Sequence, residues 1–229
     1  VLQTADEIVV TSFKTKTIFS ELTTRPITVL TNGFDFEITN DSTLDSKFTL
    51  SHIGSLLEGR NPYILWTVLS DLIKDSDEFA SVFQLNFIGS VSAEVMDAVR
   101  IYGLENYINN IGYVPHNEAL EYQKKTQLLL LIEENSKETE YIIPGKLFEY
   151  MASKRPIIAI GPQASDIEKI LNQTRSGSYF RYDEAAALRT LLLEHFDAYK
   201  TQQLNVDSKG LEGYSRKSLT QQLAQKLLD

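Results

Sequence analysis

Cysteine is absent from the sequence, which excludes disulfide bonds and cysteine-ligated metal sites. A chain without disulfides is expected in the cytoplasm rather than in an oxidising compartment. Long apolar runs are missing too. The longest, QLLLLI at residues 127–132, is far shorter than the roughly 20 residues that a membrane-spanning helix needs. The sequence therefore predicts no membrane-spanning helix.

Positive charge is scarce, since 22 lysine and arginine residues are outnumbered by 31 acidic ones and the formal net charge is -9. Proteins that bind nucleic acid by covering its phosphates concentrate lysine and arginine, so that class is excluded. Any phosphate group must be held by a few cations in one place. The first residues, VLQTADEIVV, include neither an initiator methionine nor the basic start of a signal peptide. We expect the chain to be part of a longer protein.

The short motifs of several enzyme classes are absent as well. The sequence has no glycine-rich dinucleotide fingerprint, no complete phosphate loop around PGKL at 144–147 and no Gly-x-Ser-x-Gly elbow. The three histidines, His52, His116 and His195, lack the spacing of metal ligands. The acidic segment DSD at 75–77 follows a predicted helix and is interpreted as a solvated helix end. The sequence therefore predicts no metal site, and it identifies no catalytic residue.

Apolar runs of strand length alternate with amphipathic stretches of helix length from residue 47 onward. The predicted strands are 47–54, 83–89, 106–114, 127–134, 156–161 and 177–183. The predicted helices are 61–75, 92–103, 116–126, 145–153, 165–173 and 184–199. Strands that are apolar on both faces indicate a parallel sheet covered by helices, so the fold class is α/β, a doubly wound Rossmann-like domain.

The segments on either side of this alternation differ from it. Two short strands are predicted at 7–10 and 26–30, ahead of the polar, turn-rich stretch 37–46, where we place a domain boundary. The tail from residue 210 is predicted to be an amphipathic helix behind a polar linker.

Several charged residues fall beyond the ends of the predicted strands, where ligands of such sheets bind. Gly54 ends the first strand of the main domain, and Arg60 lies just ahead of a helix for which Asn61 is the predicted N-cap. Pro144, Gly145 and Lys146 (PGK) open another helix, and Glu149 follows one turn later. Cations beside helix N-termini favour a bound anion.

The segment GYVP at 112–115 closes the third strand and could place its backbone against a planar ligand. Two cations at two helix N-termini, one hydrogen-bond acceptor and one backbone edge together fit a nucleoside diphosphate. This combination indicates a nucleotide site at one edge of the sheet.

The sequence resembles, in order along most of its length, the C-terminal, donor-binding half of family 4 glycosyltransferases of the GT-B fold. The segments that carry the resemblance are VLTNGFD (29–35), IGSLLEGRNP (53–62), NIGYVPHNEALEYQKKTQLLLL (110–131) and PGKLFEYMASKRPIIAI (144–160). The resemblance implies three parts: residues 1–36 as a remnant of the N-terminal domain with the hinge strand, 37–199 as the Rossmann-like donor domain, and 200–229 as the linker and crossover helix.

The resemblance also implies roles for individual residues. Glu149 falls on the glutamate that binds the ribose hydroxyls, and Arg60 falls on the cation that contacts the diphosphate. Val114 falls on the position that recognises the base through its backbone. Gly145 and Lys146 belong to the loop that approaches the donor sugar and its phosphates. The full set of predicted donor-binding residues is Gly54, Ser55, Arg60, Tyr113, Val114, Pro144, Gly145, Lys146 and Glu149.

The sequence departs from the family pattern at two positions. Ser55 stands where the family usually has an arginine, which leaves Arg60 as the phosphate-binding cation unless Lys146 supplies the missing charge. Tyr141 stands where the first glutamate of the family's Glu-x7-Glu motif belongs, and the neighbouring Glu140 could serve if the loop is one residue shorter.

The implied activity is that of a retaining, metal-independent enzyme that moves a sugar from a UDP- or GDP-type nucleotide sugar to a glycan or lipid-linked acceptor. This activity would belong to polysaccharide biosynthesis, with no cofactor and no nucleic-acid partner. The acceptor would be bound by a missing N-terminal domain, so this chain alone is expected to be inactive. The full-length protein is expected to be cytoplasmic, with peripheral membrane association as a further expectation.

Two alternatives remain open at the level of sequence. One is a nucleotide-sugar epimerase of GT-B type, for which His116 is a candidate near the donor loops. The other is a degenerate donor domain that acts as a scaffold, which Ser55 and Tyr141 would favour.

Overall fold

The computed structural model of the chain describes residues 2–35, 43–137 and 139–228. The strands within these residues are Ile8–Val10 (β1), Ile27–Val29 (β2), Phe48–Ile53 (β3), Phe83–Ile88 (β4), Ile108–Gly112 (β5), Leu128–Ile132 (β6), Ile157–Gly161 (β7) and Gly177–Arg181 (β8). The α-helices are Phe13–Leu22 (α1), Tyr63–Asp75 (α2), Asp77–Val82 (α3), Ala93–Ile101 (α4), His116–Lys125 (α5), Gly145–Ala152 (α6), Asp166–Thr174 (α7), Ala185–Lys200 (α8) and Arg216–Leu228 (α9). Short 3-10 helices lie at Glu105–Tyr107 and Leu211–Tyr214.

Six parallel strands form the main sheet, in the order β5-β4-β3-β6-β7-β8. This arrangement confirms the predicted α/β fold with a doubly wound parallel sheet. The chain winds outward from β3 to β5 and then returns to continue from β6 to β8. The direction of winding therefore reverses between β3 and β6, which is where ligands of such sheets bind, beyond the carboxyl ends of the strands.

Helices cover both faces of the main sheet. On one face α2, α3, α4 and α8 pack against strand residues such as Phe48 and Phe87, which are fully buried. On the other face α6 and α7 pack against residues such as Leu129 and Ala159. Because both faces are covered, the central strands are nearly continuous apolar runs, and this pattern made them recognisable in the sequence.

The strands β1 and β2 pair in parallel as a separate two-stranded sheet, beside α1. Further along the chain, Phe34 forms a parallel bridge with Ser215, immediately ahead of α9. The segment that leads away from the small sheet therefore meets the start of the last helix. The predicted boundary between residues 36 and 37 lies outside the described residues, and the three-part division of the chain stays a prediction.

The prediction that Asn61 caps α2 is wrong. The helix begins at Tyr63, and Pro62 precedes it without a side-chain cap. The Oδ1 atom of Asn61 accepts a hydrogen bond from Nε1 of Trp66 at 2.6 Å. The indole of Trp66 is fully buried, and a buried N–H requires a partner, so the side chain of Asn61 is used inside the fold.

The acidic segment at 75–77 joins α2 to the short helix α3, which the apolar pattern does not predict. The hydroxyl of Ser76 accepts a hydrogen bond from the Phe79 N–H at 3.1 Å and caps α3. Asp75, whose side chain is 59% exposed, pairs with Arg189 at the surface. The interpretation of this segment as a solvated helix end is confirmed.

Candidate functional site

The pairing of β3 with β6 ends before the carboxyl ends of the two strands, and a side chain from α6 forms hydrogen bonds with the last residue of β3. Pairing of the two strands ends at Ser51 and Leu129. Just beyond, the hydroxyl of Tyr150 accepts a hydrogen bond from the Ile53 N–H at 2.8 Å and donates one to the Ile53 carbonyl at 3.1 Å. Tyr150 is fully buried. It therefore fixes α6, which carries three of the predicted donor-binding residues, to the end of β3.

Replacing Tyr150 with phenylalanine is expected to lower the free energy of unfolding by about 1–3 kcal/mol, because the buried Ile53 N–H loses its partner and gains no water. Urea denaturation followed by circular dichroism measures this loss. Tyr63→Phe is the matched control, since Tyr63 is exposed and its hydroxyl lies 3.3 Å from Glu94. Equal stability of the two variants would contradict the role given to Tyr150.

A groove of about 300 Å³ opens beyond the ends of β3, β4 and β5. Its lining includes six of the nine predicted donor-binding residues: Gly54, Ser55, Tyr113, Val114, Lys146 and Glu149. The side chain of Tyr113 is 85% exposed at the rim of the groove. Tertiary structure thus brings three separate segments of the sequence to one groove.

The carboxylate of Glu149 is held by two neighbours on α5. Nε2 of His116 donates to Oε1 at 3.0 Å, and Nε2 of Gln123 donates to Oε2 at 3.1 Å. His116 is mostly exposed, whereas Gln123 is buried and its own Oε1 has no partner among the described residues. Glu149 is therefore oriented toward the groove by contacts that a ligand hydroxyl could replace on the His116 side. Sequence reasoning did not find Gln123, because its distance of 26 residues from Glu149 gives no local signal.

Lys146 lies against the end of β3. A Cβ atom at position 54 would lie 2.6 Å from Nζ of Lys146, and Gly54 has a φ of +110°, so only glycine fits there. Burial, and then the nearby charge of Arg60, lowers the pKa of Lys146 to about 8, while Glu149 opposes this shift. Lys146 is therefore a partly desolvated cation with a second cation beside it.

A smaller cavity of about 40 Å³ adjoins the groove through Lys146, which lines both. Arg60 and Pro144 also line this cavity, whereas Gly145 stands exposed at the start of α6. Within the described ranges 2–35, 43–137 and 139–228, neither Arg60 nor Lys146 forms an ion pair. The two predicted cations do come together, and they do so without a direct carboxylate partner.

His52 is buried beneath these two cations. Its ring nitrogens face the carbonyl oxygens of Leu130, at 3.1 Å, and Ser55, at 3.4 Å. Burial, together with the charges of Lys146 and Arg60, lowers the pKa of His52 to about 3, against the hydrogen bonds to the Ser55 and Leu130 carbonyls. The imidazole is therefore neutral at physiological pH and serves to hold the loop after β3 in place.

The two positions around the missing motif glutamate lie in the loop between β6 and α6. The carboxylate of Glu140 forms an ion pair with Nζ of Lys14 on α1. Tyr141 is 39% exposed. Glu140 is thus directed to the small N-terminal unit, and neither residue lines the groove or the cavity beside Lys146.

Glu133 is a site residue that sequence reasoning missed. It directly follows β6, is only 6% exposed and lines the small cavity together with Arg60 and Lys146. Burial raises its pKa to about 7, against the hydrogen bond that it receives from Tyr179. An acidic residue directly after a fully apolar strand is the signal that could have identified it.

No cluster of three or more histidine, aspartate or glutamate side chains suited to a metal ion occurs in the described part of the chain. Its helices include none that is both long and apolar enough to cross a membrane.

Solved structures with the same architecture were found by structural comparison. Anabaena HepE in complex with UDP superimposes with a TM-score of 0.73 at 17% identity, over 97% of this chain and 64% of that one. Sucrose-phosphate synthase from Thermosynechococcus elongatus gives 0.68 at 14% identity, over 99% and 58%. The pneumococcal O-GlcNAc transferase GtfA in complex with UDP and GlcNAc gives 0.70 at 14% identity, over 97% and 44%.

The chain has the Rossmann-like fold of GT-B glycosyltransferases. At identities of 14% to 17%, these likenesses establish the fold alone. This chain spans between 44% and 64% of the length of the three GT-B proteins. No family model and no curated protein sequence matches it. In this Rossmann-like fold, the groove and the cavity lie at the switch point of the sheet.

Proposed function

We propose that the chain binds the diphosphate of a nucleotide sugar and is the donor-binding part of a glycosyltransferase. One observation carries the proposal: Arg60 and Lys146 meet at the switch point of the sheet, and Arg60 lowers the pKa of Lys146. Two adjacent cations without an ion pair among the described residues are an arrangement that a diphosphate would stabilise. Bound UDP in the solved structures of HepE and GtfA supports a UDP-type donor.

The groove on the other side of Lys146 would hold the nucleoside. Glu149 lies there with a carboxylate that can accept hydrogen bonds from ribose hydroxyls, and the backbone at Val114 can meet the edge of the base. Exposed Tyr113 offers an aromatic face at the rim. In this proposal the base, the ribose and the diphosphate lie along one path that ends at Arg60.

In this function, Arg60 and Lys146 would stabilise the diphosphate as it leaves the sugar and charge develops on it. The resemblance to the C-terminal donor domains of family 4 glycosyltransferases further suggests a retaining, metal-independent reaction. The sugar would be transferred to a glycan or lipid-linked acceptor in polysaccharide biosynthesis. We propose that acceptor binding needs residues with no counterpart in this sequence, so that the chain alone does not transfer sugar. A cytoplasmic location, with peripheral association at a membrane, stays a prediction.

A thermal-shift panel of UDP, GDP, ADP and CMP tests the proposal. Because a ligand that binds only the native state raises its apparent stability by mass action, UDP or GDP is expected to raise the melting temperature in a concentration-dependent way. Calorimetry should then give a dissociation constant between micromolar and millimolar. A flat response to all four nucleotides, with the protein folded by circular dichroism, would overturn the proposed function.

Glu149→Ala is expected to weaken UDP binding by about tenfold, the value of one or two hydrogen bonds to a charged acceptor. Binding of inorganic pyrophosphate, which has no ribose, should fall far less when it is measured well below pH 8, where Lys146 keeps its charge. Glu121→Ala is the control. Glu121 is also a glutamate, but it pairs with Lys124 at the surface of α5. If pyrophosphate binding fell as much as UDP binding, Glu149 would not contact the ribose.

The epimerase alternative needs a histidine beside the donor sugar. His116 contacts Glu149 in the groove and does not line the cavity that holds Arg60, so its position favours a contact with the nucleoside end of the donor. The scaffold alternative predicts that nucleotide binding is lost. Incubation with UDP-N-acetylglucosamine in the absence of an acceptor separates the epimerase from the transferase, since only the epimerase would change the sugar.

A further inference from the structure

The carboxylate of Glu133 uses only one of its two oxygen atoms within the fold. Oε2 accepts a hydrogen bond from the hydroxyl of Tyr179 at 2.7 Å. Oε1 is buried and has no hydrogen-bond partner in the described part of the chain. The hydroxyl of Ser165 is close enough to lower the pKa of Glu133, yet it makes no hydrogen bond to Oε1. A buried carboxylate oxygen without a partner is costly, which points to a ligand that completes it.

The chemistry around Glu133 limits what that ligand can be. Arg60 and Lys146 line the same cavity, so a bound metal cation would be repelled. A phosphate would be attracted by the two cations but repelled by an ionised Glu133. A neutral group that donates a hydrogen bond, covalently attached to a phosphate, satisfies the cations and the carboxylate together. A sugar hydroxyl on a nucleoside diphosphate is such a group.

We propose that Glu133 binds a hydroxyl group of the donor sugar and thereby selects which sugar the site accepts. This inference rests on the proposed function, because it requires the diphosphate between Lys146 and Arg60. The sugar is bonded to the terminal phosphate, so it must follow the diphosphate into the space beyond Lys146. Glu133 lines that space, on the side away from the nucleoside groove.

The size of the cavity indicates how much of the sugar Glu133 contacts. At about 40 Å³ the cavity can accommodate a group the size of a water molecule or hydroxyl, but not a whole sugar ring. One edge of the ring would therefore enter and the rest would remain outside. A sugar that lacks a hydroxyl at that edge leaves the carboxylate unpaired, and sites of this kind discriminate strongly against such analogues.

The position of the Glu133 carboxylate is fixed by its surroundings. A Cβ atom at position 161 would lie 2.5 Å from Oε2 of Glu133, so Gly161 allows the close approach. The Pro162 carbonyl lies 2.8 Å from the Tyr179 hydroxyl and is a second acceptor for its single proton. Because Tyr179 keeps that second partner, removal of the Glu133 side chain is expected to leave the fold intact.

The test compares dissociation constants for UDP, UDP-glucose, UDP-galactose and UDP-N-acetylglucosamine, measured by calorimetry on the whole chain. The wild type is expected to bind at least one UDP-sugar about tenfold tighter than UDP. In Glu133→Ala this ratio should fall to about one, while the affinity for UDP itself should not fall, because the variant removes a negative charge from the cavity of Arg60 and Lys146. Glu133→Gln keeps the volume of the side chain and is expected to lower the ratio about threefold, because a neutral amide is a weaker acceptor.

Glu134→Ala is the matched control, since Glu134 lines the same cavity but its carboxylate lies near Gly59. In this variant, the affinity for the UDP-sugar relative to the affinity for UDP should equal that of the wild type. An equal loss in the Glu134 variant would indicate a general charge effect and overturn the inference. The inference would be overturned if the wild type bound all three UDP-sugars no more tightly than UDP. It would also be overturned if the relative affinity were unchanged in both Glu133 variants. In either case the proposed function would stand. Failure of UDP itself to bind would overturn both.

Discussion

Lys146→Met is expected to weaken UDP binding by about 10- to 100-fold, the value of a charge-assisted hydrogen bond in a partly desolvated site. Lys146 lines both the groove and the small cavity, so no other described cation can take its place between the nucleoside and Arg60. Methionine keeps the unbranched shape of the side chain up to Cε while it removes the charged amino group. Calorimetric titration with UDP measures the change.

The pH dependence of UDP binding provides a second measure of the same interaction. Because burial and Arg60 lower the pKa of Lys146 to about 8, the free protein loses this charge above that pH. UDP binds the charged form, so binding takes up a proton and the affinity of the wild type is expected to fall as the pH rises above about 8. Lys146→Met should show no such fall. The control is Lys74→Met, which removes an exposed charge at the end of α2. Equal UDP affinities of the two variants would exclude Lys146 from the site.

Glu133→Gln is expected to raise the free energy of unfolding above about pH 7 by up to about 3 kcal/mol, at about 1.4 kcal/mol for each unit of pKa shift. The pKa of Glu133 is raised from 4.5 to about 7 by burial, against lowering by Tyr179, Ser165 and Arg60, and Asp166 adds a small rise. Between these two pH values the folded protein binds more protons than the unfolded chain, so the contribution of Glu133 to stability falls as the pH rises. Below about pH 4.5 both states hold a protonated carboxyl, and the two proteins should be equally stable.

Urea denaturation of the wild type and of Glu133→Gln from pH 4 to about pH 8 tests this expectation. The difference between the two curves is the quantity of interest, since other titrating groups contribute equally to both. Glu134→Gln is the control for removal of a neighbouring charge. A difference that stays constant with pH would mean that the pKa of Glu133 is the same in the folded and the unfolded chain, and that its environment is less apolar than its burial indicates.

Much of the main sheet could be predicted from the sequence alone. The strand LLLLI of β6 and the strand IIAIG of β7 are continuous apolar runs because helices cover both of their faces. Such runs can be recognised in the sequence without knowledge of the rest of the fold. The cap of α2 could not be predicted in this way, because the side chain of Asn61 accepts a hydrogen bond from the buried indole of Trp66 in the same helix. A side chain that could cap a helix is instead used to accept a hydrogen bond from a buried donor that has no other partner.

The candidate site could be predicted from the sequence where its residues lie close together on one helix. Lys146 and Glu149 lie on the first turns of α6, so helical spacing together with the resemblance already placed them side by side. Arg60 follows a strand end and could be assigned to the same edge of the sheet. The contact of His116 and Gln123 with Glu149 could not be derived, since it depends on how α5 packs beside α6.

The sequence by itself determined the alternation of strands and helices, the parallel sheet and the presence of two cations at its carboxyl edge, because these follow from local periodicity and from chain order. Tertiary structure alone decided how the acidic residues are used. Glu140 pairs with Lys14, whereas Glu133 is buried against Tyr179 with one oxygen that has no hydrogen-bond partner in the described part of the chain. The partners of each carboxylate lie 126 and 46 residues away along the chain, and no local pattern records contacts at such distances.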